Sequence, residues 1–291
     1  MFTAAANLSP FDVNMAIDAG WQHCLPYTNL LPAQIADFTQ DAIFSRGPKG
    51  VKRTGIFVGG RDIHMAMDML HAARKAMVPP FEVSVFADPS GAFTTAAGMV
   101  ACVEKKFTAV TGEPITGRRA LVFGGTGPVG LTCAMLAARA GADVAIVSHV
   151  DGAKAQAMAD ECAQRYGVSF AGVDGGSDAA IEALIGDADI VFNAAKAGVQ
   201  VLAERHLAKA VKVRVLCDVN AVPPEGIAGV GVMDDGVPVG TTPLGALGIG
   251  ALAVGNVKYK TQQGLLQAML EAEKPAYLHF EQAFDIARTL A

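Results

Sequence analysis

Apolar positions along the chain fall into short buried runs that alternate with longer stretches carrying one apolar face. This alternation predicts a parallel α/β architecture. Gly55-Ile56-Phe57-Val58-Gly59-Gly60 reads as a short buried strand. The helical pattern after it places Met65, Met69, Leu70 and Ala73 on one face, with Asp62 positioned to cap it. Pro79-Pro80 breaks that pattern, and Glu82 to Phe86 gives the next strand, ending in Asp88-Pro89-Ser90-Gly91. Thr94-Thr95 opens a helix from Ala96 to about Lys106. Upstream, Phe11 to Ile17 reads as a strand ending at Asp18-Ala19-Gly20.

Thr111-Gly112-Glu113-Pro114-Ile115-Thr116-Gly117 is the clearest linker, and the alternation resumes beyond it. Strands are expected near Arg119 to Phe123, Asp143 to Val147, Ser169 to Val173, Ile190 to Ala194 and Val213 to Cys217. Helices are expected between them, among others over Gly152 to Arg165 and Asp178 to Ile185. The tail from about Gly248 to Ala291 reads as helical, with Leu265, Leu266, Met269 and Leu270 on one face. The pattern thus predicts two α/β domains. Residues 1–112, joined by 248–291, form the first, and residues 113–247 form a doubly wound, Rossmann-type nucleotide-binding domain. The active-site cleft is expected between the two.

The sharpest local signal is Gly124-Gly125-Thr126-Gly127-Pro128-Val129-Gly130, entered from the apolar run Ala120-Leu121-Val122-Phe123. Gly125, Gly127 and Gly130 have the G-x-G-x-x-G spacing in a strand–turn–helix context. Such a loop brings backbone amides and a helix N-terminus against a pyrophosphate. Gly125, Thr126, Gly127, Pro128 and Val129 are therefore candidate cofactor contacts. An Ala-rich helix from Pro128 to about Ala140 and a second strand after Gly141 complete the unit.

Composition narrows the class. The chain has 291 residues, 52% of them hydrophobic and 18% charged, enough to bury a sizeable core. A net charge of −5 gives no electrostatic case for nucleic acid or an anionic membrane surface. Cys24, Cys102, Cys133, Cys162 and Cys217 contain no C-x-x-C, which fits a reduced cytoplasmic protein without a zinc site. The first residues have no signal-peptide pattern, and the longest apolar stretch, about Leu244 to Val254, is too short to span a bilayer. No metal is expected.

Strand ends supply the other candidates. The second strand of the nucleotide domain ends in Val147-Ser148-His149, where an NAD-selective site usually places an acid. Ser148 does not repel a 2′-phosphate, and His149 and Lys154 offer positive charge; His149 also reads simply as a solvated loop residue. Ala194, Ala195 and Lys196 follow the fourth strand, where small residues let the chain pass close to a ribose. Asp218 and Asn220 follow the fifth; Asn220 is suited either to a carboxamide or to a turn before Pro223-Pro224. In the first domain Asp18 and Asp88 follow expected strands, with Ser90, Thr94 and Thr95 around the second, as substrate contacts or as turn caps. Neither a Ser-Tyr-x-x-x-Lys set nor a His–Asp relay is evident, which suits a hydride transfer needing little proton management.

With these residues in view, the chain resembles the methylene-tetrahydromethanopterin dehydrogenases of methylotrophic bacteria, related in design to the bifunctional methylene-tetrahydrofolate dehydrogenases. The resemblance covers nearly the whole length. It rests on Ile17-Asp18-Ala19-Gly20 with His23, Gly55 to Gly60, Asp88-Pro89-Ser90-Gly91 with Thr94-Thr95-Ala96-Ala97, and the glycine loop. Asp218-Val219-Asn220-Ala221 with Pro223-Pro224, and Gly245-Ala246-Leu247-Gly248-Ile249-Gly250, complete it. It implies oxidation of a methylene pterin to its methenyl form by NAD or NADP, in one-carbon metabolism from formaldehyde, by a homo-oligomer. It also implies pterin-side roles for Asp18, Asp88, Ser90, Thr94, Thr95 and Lys258, with Asp18, Asp88 and Lys258 as the catalytic candidates. Strictly NADP-dependent members carry Arg where this chain has His149, so use of both cofactors is expected. The alternatives are a methylene-tetrahydrofolate or shikimate-type dehydrogenase, or a non-catalytic NADP-binding regulator. The Lys–Asp relay and Asn-Arg-Thr clamp of the shikimate type are not evident.

Overall fold

The computed structural model describes all residues, Met1–Ala291. The chain divides into two compact units, Met1–Thr94 with Tyr259–Leu290, and Thr95–Lys258 with Ala291. No helix is long and apolar enough to cross a membrane.

The first unit opens with helix α1 (Pro10–Asp18), where the sequence pattern predicts a strand. Phe11, Val13, Met15 and Ile17 alternate with Asp12, Asn14, Ala16 and Asp18, and that period of two misleads. Local chemistry decides for the helix: Pro10 sits in the first turn, and the Ser9 hydroxyl accepts from Phe11 N at 3.3 Å. The buried residues are Asp12, Met15 and Ala16, a helical period, while Phe11 and Ile17 are exposed. Helices α2 (Ile35–Phe44) and α3 (Pro48–Val51) precede strand β1 (Gly55–Val58). Helix α4 (Ile63–Lys75) begins at Asp62, whose carboxylate accepts from Met65 N at 2.8 Å. Strand β2 (Ser84–Ala87) pairs in parallel with β1. Helix α5 (Ala92–Thr111) starts four residues earlier and ends five later than its sequence pattern suggests.

The second unit carries a seven-stranded sheet. In chain order its elements are β3 (Arg119–Phe123), α6 (Pro128–Arg139), β4 (Asp143–Ser148), α7 (Gly152–Tyr166), β5 (Ala171–Asp174), α8 (Asp178–Ile185), β6 (Ile190–Asn193), α9 (Glu204–Leu207), β7 (Val215–Asp218), β8 (Asp235–Pro238) and β9 (Leu247–Ile249). The order across the sheet is β5-β4-β3-β6-β7-β9-β8, parallel throughout except for β8. This is the doubly wound order, with its switch point between β3 and β6. Central strands covered on both faces need apolar residues at every position, and Leu121, Val122, Val191, Phe192, Leu216 and Cys217 are all fully buried.

The remaining chain is not wholly helical, contrary to its sequence pattern. Helix α10 (Ala251–Glu271) is followed by a short strand, β10 (Tyr277–Leu278), and helix α11 (Phe280–Leu290). Strand β10 pairs in parallel with β2, so the first unit's sheet has the order β1-β2-β10. Leu265, Leu266 and Met269 are buried as their spacing predicts. The Trp21 indole donates to the Leu266 carbonyl at 3.0 Å, tying α10 to the segment after α1.

Candidate functional site

The glycine loop turns from β3 into α6 at the switch point of the large sheet. Gly124 has φ +67°, and a β-carbon there would stand 2.6 Å from the Ala194 carbonyl oxygen. Only glycine fits such an approach in that conformation. A β-carbon on Gly125 would come within 2.7 Å of the Ile146 side chain, and one on Gly130 within 2.8 Å of Gly124 and Gly125 backbone. The motif glycines thus press the loop against β4, the end of β6 and the start of α6. Gly127 is the cap residue of α6 and no side chain satisfies that helix end; Pro128 follows as its first residue. The Val129 and Gly130 amides have no intrahelical acceptor and point out of the helix start, a fit for a pyrophosphate. Thr126 is half-buried beside them.

The ends of β6 and β7 form one polar network. Asn193 and Asp218 occupy the same register on the two strands and are buried, at 0% and 1% exposure. Asn193 Nδ2 donates to Asp218 Oδ1 at 2.8 Å, while its Oδ1 accepts from Ala195 N at 3.0 Å. Asp218 also accepts from the Asn220 and Ile227 amides, at 2.9 and 2.8 Å. Burial pushes its carboxyl above the usual range, and these hydrogen bonds oppose that shift. Asn220 in turn accepts from Gly198 N and Val222 N, both at 3.1 Å, and donates to Pro224 O at 2.9 Å. The side chains of Asp218 and Asn220 thus shape the strand ends. Asn193 is the residue that sequence reasoning missed; a polar residue closing a four-residue apolar strand is the signal that marks it. Ala194 and Ala195 are half-buried against Gly124, and Lys196 is exposed.

At the end of β4, Ser148 is buried and its hydroxyl accepts from Val150 N and Asp151 N, at 3.3 and 3.1 Å. With both lone pairs used, the hydroxyl proton is what Ser148 offers a ligand. His149 and Lys154 are exposed. Asp151 caps α7, accepting from Ala153 N and Lys154 N.

In the first unit Asp88 is fully buried. Its Oδ1 accepts from Phe93 N and Thr94 N, at 2.9 and 3.2 Å, and its Oδ2 from the Thr94 hydroxyl at 2.6 Å. Asp88 and Thr94 thus organise the start of α5. Ser90 adopts φ +54° and donates to the Gly60 carbonyl at 2.7 Å, bracing the ends of β1 and β2 together. Asp18 follows no strand; it is the exposed last residue of α1. A carboxylate at a helix C-terminus opposes the helix dipole, and no basic residue lies in that last turn. Asn14, one turn earlier on the same face, lines a groove of about 380 Å³ together with Leu8, Pro10, Val13, Pro26 and Thr28. Thr95, in α5, and Lys258, in α10, are half-buried.

Sheet order, glycine loop and strand-end network together define a dinucleotide-binding protein of the Rossmann class. Solved structures show the same fold. A NAD-dependent malic enzyme from Thermotoga maritima matches with a TM-score of 0.54 at 12% identity, over 99% of this chain and 83% of that one. Shikimate 5-dehydrogenase from Listeria monocytogenes, in complex with shikimate and NAD, matches with a TM-score of 0.50 at 13% identity, over 100% and 96%. Residues 10–90 match the family described as methylene-tetrahydromethanopterin dehydrogenase, N-terminal. An NAD(P)-dependent methylenetetrahydromethanopterin dehydrogenase from Methylorubrum extorquens is 45% identical over 100% of this chain and 97% of its own length. The bifunctional protein MdtA of the same organism is 32% identical over 81% of this chain and 80% of its own. The chain belongs to the methylene-tetrahydromethanopterin dehydrogenase family.

Proposed function

We propose that the chain oxidises methylene-tetrahydromethanopterin to the methenyl form with NAD or NADP. The observation that carries this reading is the full-length 45% identity to the Methylorubrum extorquens dehydrogenase. The chain's own residues support it. The uncapped start of α6 and the loop around Gly124 suit the pyrophosphate of NAD(P), with Gly125, Thr126, Gly127, Pro128 and Val129 at the contact. Ser148, His149 and Lys154 flank the adenosine ribose, and Ala194, Ala195 and Lys196 bound the far side of the loop. Asp218 and Asn220 hold the strand ends in shape without touching cofactor.

When bound, the nicotinamide accepts a hydride. The methylene carbon lies between two nitrogens, so losing hydride leaves an amidinium-type cation that their lone pairs stabilise, and no proton leaves in that step. The protein therefore aligns the carbon with the ring and accommodates positive charge, without an acid–base relay. Asp18 is the carboxylate that meets this charge, being exposed and set where its helix disfavours it. The groove lined by Asn14, one helical turn before Asp18, is largely apolar with Asn14 and Thr28 at its edge, and suits a flat ring system with a polar edge. Asp88 acts through Thr94 as a positioning residue, Thr95 follows it on α5 at the pterin side, and Ser90 fixes the strand-end geometry. Lys258 completes the pterin-side set.

In this reading residues 1–112 with 248–291 hold the pterin, and residues 113–247 hold the cofactor. The protein works in the cytoplasm as a homo-oligomer. Its cysteines are free thiols, in keeping with a reduced compartment. A spectrophotometric screen of both methylene pterins, methanopterin and folate, against NAD and NADP tests the assignment. Reduced nicotinamide should form with the methanopterin substrate and with each cofactor. Turnover with the folate alone, or with neither, contradicts it.

A further inference from the structure

The acid that an NAD site usually carries at the end of its second strand is missing from β4, yet the structure brings a carboxylate to the same place from the neighbouring strand. Ser148 and Asp174 are register partners at the ends of β4 and β5, and Gly175 N donates to Ser148 O at 2.7 Å just beyond them. Adjacent strands lie about 4.8 Å apart, and register partners on parallel strands project to the same face of the sheet. Both side chains flank the first turn of α7. The Ser148 hydroxyl holds Asp151 N, and the Asp174 β-carbon would be 3.1 Å from a β-carbon on Gly152. Asp174 is exposed; its Oδ1 accepts from Gly176 N at 2.9 Å, which fixes the carboxylate and leaves Oδ2 for a ligand.

We propose that Asp174 is the acidic determinant of cofactor choice, accepting from the adenosine ribose of NAD and disfavouring the 2′-phosphate of NADP. The inference rests on the dinucleotide reading of the β3–α6 loop. Ser148 offers its hydroxyl proton to either ligand. Asp174 distinguishes them, because a ribose hydroxyl has a proton to donate and a phosphate dianion has only charge to repel. Exposed His149 and Lys154 offset that repulsion, and the balance lets both cofactors serve. Asp151, nearer in sequence, caps α7 through its Oδ1.

Asp174→Asn tests the assignment in the full-length protein, since the amide oxygen still accepts from Gly176 N while the charge is removed. Binding of 5′-AMP and 2′,5′-ADP is measured by calorimetry alongside kcat/KM for NAD and NADP. The affinity for 2′,5′-ADP should rise about tenfold relative to 5′-AMP, and the NADP/NAD ratio of kcat/KM should rise comparably, both less so at high salt. Asp174→Ser, which also keeps an acceptor, should shift both ratios in the same direction. Asp143→Asn removes an equal charge at the other end of β4, about 16 Å away by strand rise, and should move neither ratio. Unchanged ratios in both Asp174 variants, or an equal shift in Asp143→Asn, would overturn the proposal while leaving the cofactor reading intact. Failure of the unmodified protein to bind either nucleotide or either cofactor would overturn both.

Discussion

Asn193 and Asp218 close neighbouring strands in the same register, and a 2.8 Å hydrogen bond joins the amide of one to the carboxylate of the other. Through Asn193 Oδ1 the bond also fixes Ala195, whose backbone lies against Gly124. Strand pairing and loop shape at the sheet's switch point are thereby one structure.

Replacing Asp218 with Asn should destabilise the protein by about 2–4 kcal/mol, because both carboxylate oxygens accept from buried donors and an amide turns one acceptor into a donor. Denaturant unfolding measures the loss. The pH dependence has a definite sign. Burial raises the native Asp218 carboxyl above its ordinary value of 3.8, so just above pH 3.8 the folded state holds more protons than the unfolded one. Its contribution is full below pH 3.8 and is lost as pH rises through the native value. The Asn variant lacks that component of the slope, and equal slopes in the two proteins would contradict the assignment.

Asp18→Asn should separate stability from activity. The substitution removes a charge from the unfavourable end of the α1 dipole, so stability should hold or rise by about 0.3–1 kcal/mol. The hydride-transfer rate in single turnover should fall on the order of 10- to 100-fold, since the interaction is strongest as cation develops. An unaltered rate would leave Asp18 without a catalytic part.

Gly124→Ala should weaken cofactor binding at least tenfold, with a folding cost of about 1–3 kcal/mol, because φ +67° and the Ala194 backbone leave no room for a methyl. Titration by reduced-nicotinamide fluorescence measures the affinity. Full affinity in a folded variant would show that the loop does not approach the ligand.

His149→Arg should raise the NADP/NAD ratio of kcat/KM by roughly tenfold, since a guanidinium forms paired, charge-assisted bonds to a phosphate and imidazole does not. The gain should shrink with ionic strength. A ratio that does not move would place the ribose elsewhere.

Much of the second unit is legible in the sequence because each central strand is an apolar run bounded by glycine or polar turns. Arg119–Phe123 and Asp178–Ile185 have the bounds that their patterns predict. Helix α1 is not legible in its hydrophobic pattern, because a nine-residue segment shows two periods at once and the cap at Ser9-Pro10 decides. Strands β8, β9 and β10 are short, and β8 reads Asp-Gly-Val-Pro without any strand pattern; pairing partners distant in sequence create them. The glycine loop is readable because its chemistry is local. Asp88, Asp218 and Asn220 are legible as polar residues at strand ends, but the hydrogen-bond partners that brace them there emerge only on folding.

The most direct test of the central claim uses methylene-tetrahydromethanopterin with both hydrogens of its one-carbon bridge replaced by deuterium, with NAD and NADP in separate reactions. Direct transfer predicts one deuterium on the nicotinamide ring per methenyl pterin formed, with none released to water. Deuterium appearing in solvent, or methenyl pterin forming without reduced nicotinamide, would contradict the account.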